Sequence, residues 1–426
     1  MATVRAAGVR LTLLDRLQIS KRASLLGVCI LPLVALLARL AYAATLSPEI
    51  VVTFEADPLT YDQIARNLVA GRGFSGASFY YPPGSDVPTA FWDALYPIFL
   101  AAVYTLAGHS VPAVRAVQAV LGAAAVALTY VVGARLADRA VGVLAAAISA
   151  VYPFFIYYSG HLLTETLFMT LILAVFAAAL CLQDRGTRRW ALALGMLSGL
   201  AALCRAEALP FGLALMVWTA WRSGGTTSRR LGLAATAVVA LLVVTAPWVI
   251  RNQRTFHAPI LTTTKLGYNL YKYYHPQMTA DQTVRAVPFP DLDGLTEPQR
   301  EAVMRGQGLR FMAQDPGRTA WFMANKLALL FKLTPSNEVN RQYALVSLVS
   351  YGALLPFMAL GFILALRGGW SFAPLLAYVL FSIANKAAVF AGIRLRMQVE
   401  PFLIILAALA LTRVAGRLLR APAPAR

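Results

Sequence analysis

Ten stretches of this chain are apolar nearly throughout: 24–45, 113–134, 140–158, 161–182, 190–206, 207–221, 231–250, 343–366, 371–391 and 398–415. A helix needs about 20 such residues to cross a bilayer. In hydrocarbon it must also pair every backbone N–H and C=O within itself. Ten such stretches in 426 residues leave one class of fold, an all-α polytopic membrane protein. The make-up agrees, with 59% hydrophobic residues against 13% charged ones.

Charge orients the spans. The formal net charge of +19 is the kind of excess that nucleic-acid binders carry, but here it sits mostly in short loops between apolar stretches. That distribution is the positive-inside signal of a membrane protein, and no aromatic-basic interleaving or zinc spacing points to nucleic acid. The basic connections are Arg135 to Arg139, Asp184 to Arg189, Arg222 to Arg230, Arg367 and the tail from Arg413 to Arg426. Arg5, Arg10, Arg16, Lys21 and Arg22 precede the first span as in a retained signal anchor. All of these share the cytoplasmic side only if the further apolar stretch 91–108 does not cross. The sequence therefore predicts ten spans with both termini in the cytoplasm, and a helix over 91–108 lying on the outer surface. The expected organisation is a cytoplasmic segment 1–23, a transmembrane core 24–250 containing the first extracytoplasmic loop 46–112, a second such loop 251–342, helices over 343–415 and a basic tail 416–426. Cys29, Cys181 and Cys204 all fall in apolar stretches without metal-ligand spacing, so they read as small buried hydrophobes.

The first outer loop gathers what the rest of the chain lacks. Lys and Arg number 38 against 19 Asp and Glu, yet Glu55, Asp57 and Asp62 lie within eight positions. Tyr61, Ile64, Ala65 and Leu68 recur at i, i+3, i+4 and i+7, the stripe of an amphipathic helix. Asp57 before Pro58 reads as its N-cap, and Gly71 and Gly73 as its end. From spacing alone Asp57 is a cap or a functional acid, and the two readings stay open. The second outer loop carries Lys265, His257, His275 and a tyrosine cluster, Tyr268, Tyr271, Tyr273 and Tyr274. Those rings suit an interfacial aromatic belt or a platform for a sugar, and the belt is the simpler reading. Two helices are expected over 296–314 and 317–333, split by Asp315-Pro316-Gly317.

Asp57-x-x-x-Tyr61 after the first span resembles the first extracytoplasmic loop of GT-C-fold glycosyltransferases that use polyprenyl-phosphate sugars. That group includes the protein O-mannosyltransferases and the lipid A aminoarabinose transferases. Tyr96-Pro97-x-Phe99-Leu100, Leu163-Thr164-Glu165-x-Leu167-Phe168, Gly199 to Arg205, Pro247-Trp248-x-x-Arg251-Asn252 and Arg394-x-Arg396 follow in the same order. The resemblance covers roughly 25–410 and implies a GT-C helical bundle. It also implies transfer from a polyprenyl-phosphate sugar to an acceptor hydroxyl, on the extracytoplasmic face and with inversion. Many relatives carry Asp-Glu where this chain has Asp57-Pro58, which leaves Glu55 as the compensating acid or the second acid as dispensable.

Such a reaction needs a base for the acceptor hydroxyl and cations for the departing phosphate. The resemblance makes Asp57 the base and Glu55 a second acid. Asp62 turns to another face of the helix. Arg205, inside an apolar stretch, is a phosphate ligand or the ion-pair partner of Glu207 or Glu165. Arg394 and Arg396 are further phosphate ligands or snorkelling interfacial residues. Lys265, Arg341, Tyr61 and Glu165 complete the substrate-binding candidates. His161 and Glu165 stand at i, i+4, but two ligands do not make a metal site; a divalent cation stays an open question. The partners implied are the lipid-linked donor, a glycan, lipid or protein acceptor, and membrane lipid. Two other functions compete: an O-antigen ligase or polymerase, and a lipid or solute transporter. The second would need charges lining a path through the bilayer and related halves, and neither is seen.

Overall fold

The computed structural model describes residues 24–51, 57–81, 86–279, 287–333 and 341–418. Its helices, in chain order, are α1 Leu26–Ala44, α2 Asp57–Val69, α3 Leu95–Ala107, α4 Val111–Leu136, α5 Arg139–Val151, α6 Pro153–Ser159, α7 Glu165–Arg185, α8 Arg188–Cys204 and α9 Ala208–Arg222. They continue as α10 Thr227–Phe256, α11 Lys265–Tyr274, α12 Glu297–Gln314, α13 Pro316–Leu330, α14 Ala344–Arg367, α15 Ala373–Ala388, α16 Ile393–Arg396 and α17 Glu400–Leu418. Among the described residues the β-structure is one isolated bridge, Ser75 with Pro88.

All ten apolar stretches are helical, but they differ in reach. Six helices, α1, α4, α7, α10, α14 and α17, are long and apolar enough to cross a membrane. The pair α5 and α6 makes a seventh if taken as one span bent by 54°. Pro153 explains the bend: it has no N–H to continue α5, and it holds Tyr152 in extended backbone. At 17, 15 and 16 residues, α8, α9 and α15 fall short of the usual span. So does α3, with 13 residues, which packs along α2.

The bundle has a clear axis. The apolar window of α7 is 89% buried inside the protein, whereas that of α1 is 17% and that of α14 is 22% buried. Small residues let the backbones close in around this centre. A Cβ on Gly195 of α8 would run into the carbonyl of Ala237 on α10, and one on Gly361 of α14 into that of Leu406 on α17.

The polar segments are bolted to this bundle by single side chains. Arg251, near the end of α10, donates to the carbonyls of Thr89 at 3.0 Å and Phe74 at 2.7 Å. Glu297, opening α12, accepts from the Ala90 amide and the Thr264 hydroxyl, each at 2.7 Å. Two regions far apart in sequence therefore meet beside α2. Tyr268, Tyr271, Tyr273 and Tyr274 are buried within this assembly, so they form no lipid-facing belt. Their rings pack on Phe79, Phe311, Phe390 and Phe322.

Candidate active site

Glu165 is the first residue of the central helix, and its side chain is 0% exposed. A buried carboxylate must be paired, and two arginines meet it. Arg205, in the turn between α8 and α9, donates to Glu165 Oε1 at 2.9 Å and to Thr164 Oγ1 at 2.8 Å. Arg394, on the single turn α16, donates through Nε to the same Oε1 at 2.6 Å. Its Nη1 reaches on to Asp57 Oδ2 at 2.9 Å. The result is an alternating chain of charge, Asp57–Arg394–Glu165–Arg205, assembled from four separate parts of the sequence. Its ends stay partly open, with the Asp57 and Arg205 side chains each 17% exposed, and so does Arg394 between them at 16%.

Each member is held by its own local structure. Asp57 opens α2 directly before Pro58, and Tyr61 one turn on lies under it. Tyr61 is wedged edge-on between Trp92 at 5.3 Å and Tyr96 at 5.2 Å. Burial, then the Asp57 charge, pushes the Tyr61 hydroxyl well above its ordinary value, so it stays neutral. Asp93 accepts from the Ala206 amide at 3.1 Å, which fixes the turn that presents Arg205. Burial raises the carboxyl of Asp93, opposed by Lys265 and Arg205. Lys265, the first residue of α11, rests its ammonium 4.2 Å above the Trp92 ring. Burial lowers that ammonium, opposed by Asp93 and then Asp57. Arg394 is carried on a strap between α15 and α17. Tyr274 clamps it through the Ala388 carbonyl at 2.7 Å, and Lys326 through that of Val389 at 3.1 Å.

Of the sequence candidates, Asp57, Arg394, Glu165, Arg205, Lys265 and Tyr61 are brought into one neighbourhood. Arg396 is not. It turns away into the protein to pair with Glu400 and to donate to the carbonyls of Leu330 and Lys332, each at 3.2 Å. Glu207, an alternative partner for Arg205, is held instead by Asn385 at 2.6 Å and by Lys386 at 3.1 Å. Asp62 faces away from the cluster and binds Tyr104 and His109. The His161 ring is tied to the Tyr157 carbonyl at 2.8 Å. Glu55 and the side chain of Arg341 lie outside the described residues. Among the described residues, no three His, Cys, Asp or Glu side chains gather into a metal cradle.

Asp93 and Trp92 were missed as site residues. The sequence does place Asp93 two residues ahead of the apolar helix that starts at Leu95. The same observation, an acid abutting an apolar helix start, is also what a buried positioning carboxylate looks like. Chemically, the assembly offers a partly exposed carboxylate, Asp57, and two partly exposed guanidiniums that share the buried Glu165.

Comparison with known proteins follows the same line. Residues 94–250 match the family model described as dolichyl-phosphate-mannose-protein mannosyltransferase. No curated protein matches the chain. The archaeal oligosaccharyltransferase AglB from Archaeoglobus fulgidus, in complex with an inhibitory peptide and a dolichol-phosphate, is similar in structure. Its TM-score is 0.58 at 16% identity, over 96% of this chain and 53% of that one. The Archaeoglobus fulgidus oligosaccharyltransferase complex with Zn and sulfate gives 0.54 at 16% identity, over 91% and 49%. ArnT from Cupriavidus metallidurans bound to undecaprenyl phosphate covers 91% of this chain and 78% of its own at 18% identity, but with a TM-score of 0.42 the superposition is too loose to weigh. The chain thus spans about half the length of the archaeal structures whose fold it shares.

Proposed function

We propose, on the premise that this is a membrane protein of the GT-C glycosyltransferase fold, that the chain transfers a sugar from a polyprenyl-phosphate donor to an acceptor hydroxyl on the extracytoplasmic face. The observation that carries the reading is the charge chain Asp57–Arg394–Glu165–Arg205 at the head of the central helix. Asp57 takes the proton of the acceptor hydroxyl. The oxygen attacks the anomeric carbon from the face opposite the phosphate, and the carbon–oxygen bond to phosphate breaks. Its electron pair leaves with the polyprenyl phosphate, and the anomeric centre inverts. Arg394 and Arg205 then stabilise the charge that develops on the leaving phosphate. Glu165 keeps both guanidiniums in place when no donor is bound.

The pairing of Arg394 with Asp57 gives the cycle an order. While the pair is closed, the carboxylate is a weak base, since a neighbouring cation favours its ionised form. A donor phosphate competes for Arg394 and frees Asp57, so the base gains strength once the electrophile has arrived.

The test is donor turnover by the purified chain in lipid nanodiscs, with oligosaccharide, lipid and peptide hydroxyl acceptors supplied together. The donors are undecaprenyl-phosphate-linked mannose, glucose, galactose and aminoarabinose. Release of undecaprenyl phosphate from at least one is expected, and release from none of them overturns the reading. The face is tested separately with single cysteines in a Cys-free background. Ala70→Cys, exposed at the end of α2, should react with an impermeant thiol reagent on intact cells. Thr227→Cys, exposed at the start of α10, should react only after permeabilisation, and the reverse pattern would move the site to the cytoplasm.

A further inference from the structure

A concavity of about 540 Å³ opens between residues 79–81 and 289–300, away from the charge chain. Phe79, Tyr81, Phe289, Asp291, Asp293 and Arg300 line it. Phe79 and Phe289 are each 49% exposed, unusual for phenyl rings that have a folded core beside them. They are not loose. Phe79 stacks on the buried Tyr268 ring at 4.6 Å and 7°, and Phe289 lies stacked on Tyr268 at 6.1 Å and 23°. Asp291 is oriented by the Asp293 amide, which donates to its Oδ1 at 3.0 Å. Arg300 donates Nη1 to the Tyr80 carbonyl at 2.6 Å and Nε to that of Leu295 at 2.9 Å. Its Nη2 makes no hydrogen bond among the described residues. The cleft therefore pairs flat apolar faces with carboxylate acceptors and a guanidinium donor.

Few ligands suit that set. An acyl chain would leave both carboxylates unused, and an anionic headgroup would be repelled by them. A sugar residue offers a C–H face to an aromatic ring and, round its edge, hydroxyls that both donate and accept. The rings also lead somewhere: Phe79 lies 6.0 Å from Trp92, and Trp92 lies 5.3 Å from Tyr61, one helical turn from Asp57. We propose that this cleft binds the non-reacting part of a carbohydrate acceptor, so that the acceptor is a glycan of several sugars. The proposal rests on the transferase reading above. It adds that acceptor specificity resides in residues 79–81 and 289–300, apart from the charge chain.

The experiment is saturation-transfer NMR on the full chain in nanodiscs without donor, with chitotetraose, maltotetraose, cellotetraose and mannotetraose as probes. At least one tetrasaccharide should bind. The F79A/F289A double variant, altered at half-exposed rings, should weaken that binding at least about tenfold while the chain still melts in one cooperative transition. Asp57→Asn should leave binding as it is. Binding of none of the four, or equal binding to the double variant, overturns the proposal. Tighter binding of a cationic aromatic peptide, Lys-Phe-Lys-Phe, would overturn it in favour of a protein acceptor. The two readings fail separately. Tetrasaccharide binding without any donor turnover sinks the transferase and leaves the cleft. Transfer to a non-carbohydrate acceptor, with unchanged KM in the double variant, sinks the cleft and leaves the transferase.

Discussion

Arg394 and Arg396 are two residues apart and have opposite fates. Arg396 pairs with Glu400, each side chain 1% exposed, and its guanidinium lies 3.4 Å from the Tyr351 ring centre. Arg394 pairs with two carboxylates at once and stays partly open. On a single turn of helix, positions i and i+2 point about 200° apart, so only one of them can face the site. The lesson is that an ion pair closed on all sides is a structural joint, whereas a shared guanidinium with an open edge is available to an anion. The difference can be attacked from both ends.

The largest effect is expected in the closed pair. Arg396→Leu leaves Glu400 buried without its partner, which costs about 3–5 kcal/mol. Loss of folded protein in detergent melting checks it. The double variant Arg396→Met/Glu400→Leu should restore stability to within about 1 kcal/mol and keep full donor turnover. Inactivity of a well-folded double variant would erase the distinction drawn here.

In the open cluster the loss should fall on turnover instead. Asp57→Asn keeps the capping role expected from the sequence, since Asn caps about as well as Asp. Donor-to-acceptor transfer should drop at least about a hundredfold, roughly 2.7 kcal/mol of barrier, with the melting temperature unchanged. Normal transfer by the Asn variant would reduce Asp57 to a cap.

A smaller effect is expected of Arg205→Lys. It keeps the charge but loses the Nη2 that bonds both Thr164 and Glu165 now, and the planar fork that would grip phosphate oxygens in the cycle. KM for the lipid donor should rise about tenfold while kcat changes less. A fall in kcat alone would place Arg205 away from the donor.

The last prediction, on stability and not on turnover, concerns Lys326, which clamps the strap bearing Arg394. Burial pushes its ammonium down to about 7, against about 10.4 in an unfolded chain. Between those values the unfolded chain holds the extra proton, so stability should climb as pH rises from about 7 towards 10 and be insensitive to this group below 7. Melting curves across that window should show the climb, and Lys326→Met should flatten it.

What was legible in the sequence was whatever one segment decides alone. Asp57-Pro58 and the glycines at 71 and 73 bounded α2, and every apolar stretch became a helix. The GT-C resemblance held at the level of fold, although three of the ten stretches are shorter than a usual span. Partnerships were less legible. Arg205 had acids at hand in Glu165 and Glu207, and only the packing of α7 against α8 and of α9 against α15 decides that Lys386 claims the second. The tyrosines of α11 looked like a belt because aromatic periodicity does not say which surface the stripe meets. Asp93 was invisible as a positioning group for the same reason, its partner amide lying 113 residues away.

The sheathing of α7 has a consequence for how this protein meets different membranes. Hydrophobic mismatch acts on helices that touch lipid, which tilt or bend to match the local thickness. Here α1 and α14 take that contact, while α7 touches mostly protein. A thicker or thinner bilayer is therefore absorbed at the periphery, like strain taken up by the outer staves of a cask. The level at which Glu165 holds its two arginines is set by protein against protein, and the site keeps its spacing when the lipid around it changes.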